Sequence, residues 1–205
     1  MSDLSVQGEY VIGVVSDTHI PDRTDFLHPD LLRKLENAKV NLILHAGDIS
    51  LPAVIKELEK VAEVKAVQGN RDIISMPDLP KTVSIKINNL RIAMMHGHGT
   101  LSQYIADKLQ YYVQGYSLPR YQKKVLATLP DSDVYVFGHT HHAVNQWIGK
   151  KLLFNPGSVT IGLYGQEPPS FGLLRIHPDG LVSAELHILD GYRLQNRIWQ
   201  KDSTT

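Results

Sequence analysis

Between residues 10 and 69 short apolar runs alternate with amphipathic stretches, and that order leaves few folds open to the chain. YVIGVVS (10–16) is β-branched and nearly all apolar, the pattern of a strand buried on both faces. HPDLLRKLENA (28–38) spaces its apolar residues at helical intervals, and NLILHAG (41–47) is a second apolar run. LPAVIKELEKVA (51–62) is amphipathic with a proline near its start, a helix signal, and VKAVQG (64–69) is a third strand. Strand, helix, strand, helix, strand is the mark of a parallel α/β layer.

The pattern then changes to hairpins. KTVSIKINNLRIAMMH (81–96) reads as two strands joined at Asn88-Asn89. HAVNQWIGKKLLFNPGS (142–158) turns at Gly149, and SFGLLRIHPDGLVSAELHIL (170–189) turns at Pro178-Asp179-Gly180. Residues 101–129 read as helix, broken around Gly115 and Pro119, and VYVFG (134–138) is a further strand. GLYGQEPPS (162–170) reads as an irregular loop rather than a boundary. The expectation is a single domain over 1–205, with its core at about 10–190 and a disordered tail at 200–205. The fold class is α/β, with parallel strands early and hairpins late.

Five of the apolar runs end alike, in a short turn rich in glycine, aspartate and histidine. These turns are SDTH (16–19), HAGD (45–48), GNRD (69–72), HGH (96–98) and GHTHH (138–142), and they hold seven of the ten histidines. Ligands of α/β sheets bind beyond the carboxyl ends of the strands, so the turns are expected to converge. The chain has no cysteine, which excludes thiolate metal sites, disulfides and cysteine nucleophiles. Aspartate, histidine and asparagine together suit borderline or hard divalent ions. Asp17 and His19 are two apart, as are His139 and His141, so on extended backbone each pair would point one way.

These motifs, in this order, resemble the calcineurin-like metallophosphoesterases, above all their small bacterial and archaeal members and the retromer scaffold subunit of the same fold. The resemblance spans about residues 10–190 and takes in HIPDR (19–23), NPGS (155–158) and PSF (169–171). It implies a four-layer αββα sandwich, two mixed β-sheets flanked by helices. It implies a pair of divalent ions, Mn²⁺ first, with Fe²⁺, Zn²⁺, Ni²⁺ or Mg²⁺ as alternatives. Asp17, His19 and His141 would hold one ion, Asn70, His96 and His139 the other, and Asp48 would bridge them. A hydroxide between the ions would attack a phosphate ester in line, most plausibly a phosphodiester. Many family members carry histidine after GN, where this chain has Arg71. Arginine keeps its proton near neutral pH, so Arg71 is expected to bind phosphate, and His98 or a metal-bound water to handle the proton. His45 reads either as a residue that orients a ligand or as a packed histidine, and His142 as an exposed neighbour. The tyrosines at 104, 111, 112, 116 and 121 read first as partly buried helix faces, with the lining of a substrate or partner groove as the alternative.

Lys and Arg total 21, as do Asp and Glu, so charge gives no sign of a nucleic-acid or membrane surface. The first residues, MSDLSVQGEY, have neither a basic start nor a long apolar segment, and the expected location is cytoplasmic. The expected partner is a small phosphate ester; association with further copies is not legible. The alternative to an enzyme is a weakly catalytic scaffold or a metal-binding protein of the same fold.

Overall fold

The computed structural model describes residues 2–161 and 167–202. Strand β1 (Ser2–Leu4) precedes β2 (Tyr10–Val15), α1 (Leu31–Asn37), β3 (Leu42–His45), α2 (Pro52–Leu58), β4 (Glu63–Ala66) and the short α3 (Asp72–Ser75). The hairpin β5 (Thr82–Ile87) and β6 (Leu90–Met95) follows, then α4 (Leu101–Gln114), α5 (Leu118–Thr128) and β7 (Val134–Phe137). Hairpins β8 (Val144–Ile148) with β9 (Lys151–Asn155), β10 (Ser170–Ile176) with β11 (Val182–Ile188), and β12 (Tyr192–Gln195) with β13 (Ile198–Lys201) complete the described chain.

Two sheets carry the fold. One has the order β11-β10-β2-β3-β4, with β2, β3 and β4 parallel. The other has the order β1-β5-β6-β7-β9-β8, with β6, β7 and β9 parallel. The period-2 alternation of each strand sorts its side chains into layers. Ile12 and Val14 of β2 and Leu42 and Leu44 of β3 meet Ile92, Met94, Val134, Val136 and Phe154 of the other sheet in one buried cluster. The intervening residues Val11, Val15 and Ile43 face outward, onto Leu31 and Leu35 of α1 and Val54 and Leu58 of α2. On the far side Tyr135, Phe137 and Leu153 pack on Tyr121 and Val125 of α5. Helix, sheet, sheet, helix is therefore the layer order, and strands buried on both faces explain the unbroken apolar runs.

Three elements lie outside the sequence reading: β1, which pairs with β5, the four-residue α3, and the β12–β13 hairpin. The hairpin also corrects the expected tail. Gln200 and Lys201 are paired in β13, and the ribbon is anchored by Trp199 Nε1, which donates to the Phe26 carbonyl at 2.9 Å. Residues 203–205 lie outside the described residues, as does the 162–166 part of the loop expected at 162–170.

Candidate metal centre

The parallel strands β2, β3 and β4 of one sheet and β6, β7 and β9 of the other end at the same edge, and the polar turns meet there. β2 delivers Asp17 and His19, β3 delivers Asp48, β4 leads to Asn70, β6 delivers His96, and β7 delivers His139 and His141. The turns cross-brace one another. Asp17 N–H donates to the Gly47 carbonyl at 3.0 Å, and His19 N–H to the Asp48 carbonyl at 3.0 Å. Ser158 and Thr160, beyond β9, both donate their hydroxyls to the Asp17 carbonyl.

The backbone departs from the expected extended form. Asp17, His19, Asp48, His139 and His141 all have positive φ, between 48° and 69°. L-residues with side chains avoid this region, and it persists only where surroundings over-determine it. The paired side chains therefore converge through left-handed turns, not through strand alternation. Two glycines allow the turns to touch: a Cβ on Gly69 would collide with the amide and carboxylate of Asp48, and one on Gly138 with Ser16 Oγ and, at 2.9 Å, with Asp17 Oδ2.

Two groups of donor atoms result. Asp17 Oδ1, His19 Nε2 and His141 Nε2 form one group, with His141 Nε2 3.3 Å from Asp17 Oδ1 and 3.1 Å from His19 Nε2. His96 Nε2 lies 3.3 Å from Asp48 Oδ1 and 3.2 Å from Asn70 Oδ1 in the other. Asp48 Oδ2 turns toward the first group, 3.7 Å from His19 Nε2, so its two oxygens face opposite ways. His139 stands beside His96, ring centroids 5.1 Å apart.

Buried chemistry marks these atoms out. Asp17 Oδ2 accepts from Ser16 Oγ at 2.5 Å and from His139 N–H at 3.1 Å, but Asp17 Oδ1 is buried with no hydrogen-bond partner among the described residues. A buried carboxylate oxygen left so is costly unless a cation faces it. The imidazoles are oriented for the same purpose. His96 Nδ1 lies 2.7 Å from the Ala46 carbonyl and His141 Nδ1 lies 2.8 Å from the Ile161 carbonyl. A proton on each Nδ1 leaves Nε2 free to face the group. Burial pushes the His19 imidazole down to about 4 and that of His139 to about 3, so both are neutral near pH 7. Burial pushes the Asp17 carboxyl up, yet the facing imidazoles of His141, His96 and His19 outweigh it and hold it below the usual carboxylate range. Burial also disfavours a charged His96, but Asp48 overrides it and raises His96 to about 9. In the metal-free site a proton and a cation thus compete for the same lone pair.

The remaining expected residues are placed differently. Arg71 opens onto the cleft above the donor groups, its backbone N–H donating to Asp48 Oδ1 at 2.8 Å and its side chain 4.0 Å from Asp22. His98 is set back: its ring lies 5.3 Å from that of His96 and 6.2 Å from that of His139, and it is not among the residues lining the cleft. His45 braces the first turn, its Nε2 3.2 Å from Thr18 Oγ1 and its Nδ1 accepting from Gly47 N–H at 3.3 Å. His142 is half-buried and paired with Glu167, not merely exposed.

Two contributors escaped the sequence reading. Arg23 lines the cleft and reaches within 3.2 Å of His141; HIPDR is the segment of the sequence that carries it. Asp72 collects three backbone N–H groups, from Ile49 and Ser50 on Oδ1 and Gly69 on Oδ2, at 2.7–2.9 Å, and so rivets the Asp48 turn to the Asn70 turn. The cleft, about 670 Å³, is closed on its other side by α4, α5 and the turn between them: Tyr104, Tyr111 and Tyr112 come from α4, Tyr121 from α5, and Tyr116 from the turn, not from a helix face. Lys124 of α5 moors this cover, pairing with Asp107 and donating to the Gly97 carbonyl at 3.3 Å.

The geometry agrees with what known proteins show. Residues 11–179 match the model of the calcineurin-like phosphoesterase superfamily domain. A protein of Methanothermobacter thermautotrophicus named as a probable metallophosphoesterase is 33% identical over 171 residues, 83% of this chain and 88% of its own. A phosphodiesterase of Methanocaldococcus jannaschii is 28% identical, covering 80% of this chain and 91% of its own. Among solved structures, the Zn²⁺ complex of wild-type Vps29 from Entamoeba histolytica superposes with a TM-score of 0.64 at 26% identity, over 88% of this chain and 99% of its own. Strand order, strand-end turns and sequence all lead to one conclusion: the chain belongs to the calcineurin-like phosphoesterase superfamily.

Proposed function

We propose that this protein is a metal-dependent phosphodiesterase with a two-cation centre. Asp17, His19 and His141 would hold one divalent ion, Asn70, His96 and His139 the other, and Asp48 would stand between them. The observation that carries the reading is the buried Asp17 Oδ1, without a hydrogen-bond partner among the described residues and faced by two imidazole nitrogens. Manganese is the first ion to try, and the zinc-bound Vps29 neighbour makes zinc the second. Bound divalent ions would acidify a water and neutralise the non-bridging phosphate oxygens.

The chain supplies the rest. Backbone carbonyls of Ala46 and Ile161 fix the imidazole tautomers. Arg71 and Arg23 line the cleft and offer forked donors to the phosphate. Neither arginine releases a proton near pH 7. His98, set back from the cleft, supports the His96 and His139 rings instead of meeting the ester. A single-domain chain acting on small esters in the cytoplasm fits this reading; among the described residues no helix is long and apolar enough to cross a membrane.

The test is hydrolysis of bis(p-nitrophenyl) phosphate by Mn²⁺-loaded protein. Turnover lost on chelation, and reduced at least about a hundredfold in a folded Asp48→Ala variant, supports the enzyme. Stoichiometric metal binding without turnover of any ester would leave the scaffold reading. That second reading draws on one feature, the exposed Ile105, Leu109 and Val113 of α4.

A further inference from the structure

The β12–β13 ribbon forms a sheet of its own, apart from the two large ones, yet it is tied to the segment that carries one of the cleft arginines. We infer that the ribbon is a positioning element for Arg23: Arg197 and Trp199 hold the backbone just beyond it and so aim its guanidinium at a bound phosphate. The inference rests on the reading of Arg23 as a phosphate ligand of a phosphodiesterase and adds to it what holds that arginine in place.

Residues 20–30 run from the first metal-centre turn to α1 with no helix or strand of their own. A segment of that kind fixes a side chain only where its backbone is held from elsewhere. One hold is local, for Arg23 N–H donates to the His19 carbonyl at 2.8 Å. The others come from the ribbon. Asp25 N–H and the Thr24 hydroxyl donate to the Arg197 carbonyl at 3.0 and 3.1 Å, and Trp199 Nε1 donates to the Phe26 carbonyl at 2.9 Å. The Arg197 guanidinium pairs with the Asp25 carboxylate. Among the described residues, each hydrogen bond or ion pair that Thr24, Asp25 and Phe26 make outside their own loop ends on Arg197 or Trp199. Packing does not replace these ties at Phe26, whose residue is 67% exposed.

Ribbon and loop order each other. A two-stranded hairpin alone is marginal in water. This one is seated on His28 of the same loop, whose ring lies edge-on to Tyr192 at 5.4 Å and to Trp199 at 4.6 Å.

Arg23 is a side chain that needs such a hold. It lines the cleft with Nη1 3.2 Å from His141 Nδ1. Arg71 lines the same cleft, and two guanidinium groups repel one another until an anion lies between them. A loose arginine also surrenders rotamer freedom when it binds, and ordering it beforehand spares that loss.

The experiment titrates inorganic phosphate into Mn²⁺-loaded protein by calorimetry and follows bis(p-nitrophenyl) phosphate hydrolysis in parallel. Trp199→Phe keeps a ring against His28 and removes the donor to Phe26. Arg197→Gly keeps the carbonyl, at a φ of 67° that glycine adopts freely, and removes the ion pair. Each should weaken phosphate binding about three- to tenfold, the effect of one hydrogen bond or ion pair. KM should rise by the same factor while kcat stays within about twofold. In an Arg23→Ala background, itself weaker for phosphate, neither ribbon substitution should lower the affinity further. The calorimetric affinity is read on the folded fraction, so lost stability does not imitate the effect. Unchanged affinity in both ribbon variants, or an equal loss with and without Arg23, overturns the inference. A fall in Mn²⁺ affinity or in kcat, in place of phosphate affinity, overturns it too, because the ribbon would then act on the donor cage. Absence of turnover on any ester sinks the phosphodiesterase reading instead, and the phosphate titration decides the inference alone.

Discussion

The donor cage and the α4–α5 cover share one cleft and are built on opposite rules. The cage is made of turns at the ends of buried strands, held by cross-turn hydrogen bonds, with Asp17, His19, Asp48 and His96 all nearly inaccessible to solvent. The cover is made of two helices joined to the body through few polar ties, with Tyr112 and Val113 each 82% exposed. Chemistry that must position charge to within a fraction of an ångström sits on the rigid part. Only the outer face of the cover, with Ile105, Leu109 and Val113 exposed, is a place where a substitution disturbs little beneath it; Tyr121 and Val125 of α5 are buried against β7 and β9.

This contrast can be broken at several strengths. The largest effect belongs to Asp17→Asn, which keeps the volume but removes the charge facing His19 and His141; steady-state turnover should fall about a thousandfold, and an effect under tenfold would mean the cage is not the reacting centre. Next comes Gly69→Ala. A Cβ there meets Asp48 head on, so unfolding in urea should show a loss of about 1–3 kcal/mol together with weakened metal binding; an unchanged midpoint would show that the two turns are not in forced contact.

Acid sensitivity offers an intermediate test away from both regions. His28 is buried between Tyr192 and Trp199, and burial pushes it down to about 4. Its unfolded form takes a proton below about 6.5 while the folded form resists, so stability is present above that pH and drains away as pH falls from 6.5 through 4. His28→Phe should remove up to about 1.4 kcal/mol per pH unit from the slope in that window; an unaltered slope in chelator-treated protein would show that His28 does not titrate on unfolding. The smallest effect is expected on the outer ridge of the cover: Val113→Gln should alter stability by less than about 0.5 kcal/mol and leave diester turnover as it was, and a large loss of either would mean the ridge is packed in solution.

Legibility in the sequence divides along the same line. Ile12, Val14, Leu42 and Val136 announce their strands because each is sandwiched between layers, and a strand buried on both faces has no polar alternation to confuse it. Asp17, His19, Asp48, His96, His139 and His141 are legible because each lies within a few residues of such a strand; Asn70 comes after β4, which is mostly half-buried, and is legible only through its place between Gly69 and Arg71. What stayed hidden depends on partners far away in sequence. Asp72 is unremarkable until its carboxylate is seen collecting N–H groups from Ile49, Ser50 and Gly69. Arg23 gains its meaning only from His141, over a hundred residues on. The β12–β13 ribbon turns on Asn196 and Arg197, both at positive φ, 49° and 67°. Such a turn is expected with glycine in its second place, and arginine there gives no signal.

Left-handed backbone at Asp17, His19, Asp48, His139 and His141 carries one more consequence. A sequence optimised for endurance alone would put glycine at those points, where an L side chain costs about 1 kcal/mol or more apiece. The protein keeps bulky imidazoles and carboxylates in these awkward corners, so backbone strain gathers at the strand-end edge. His139→Gly and similar exchanges would leave a hardier but inert chain, and resilience and reactivity are in direct opposition at this edge of the sheets.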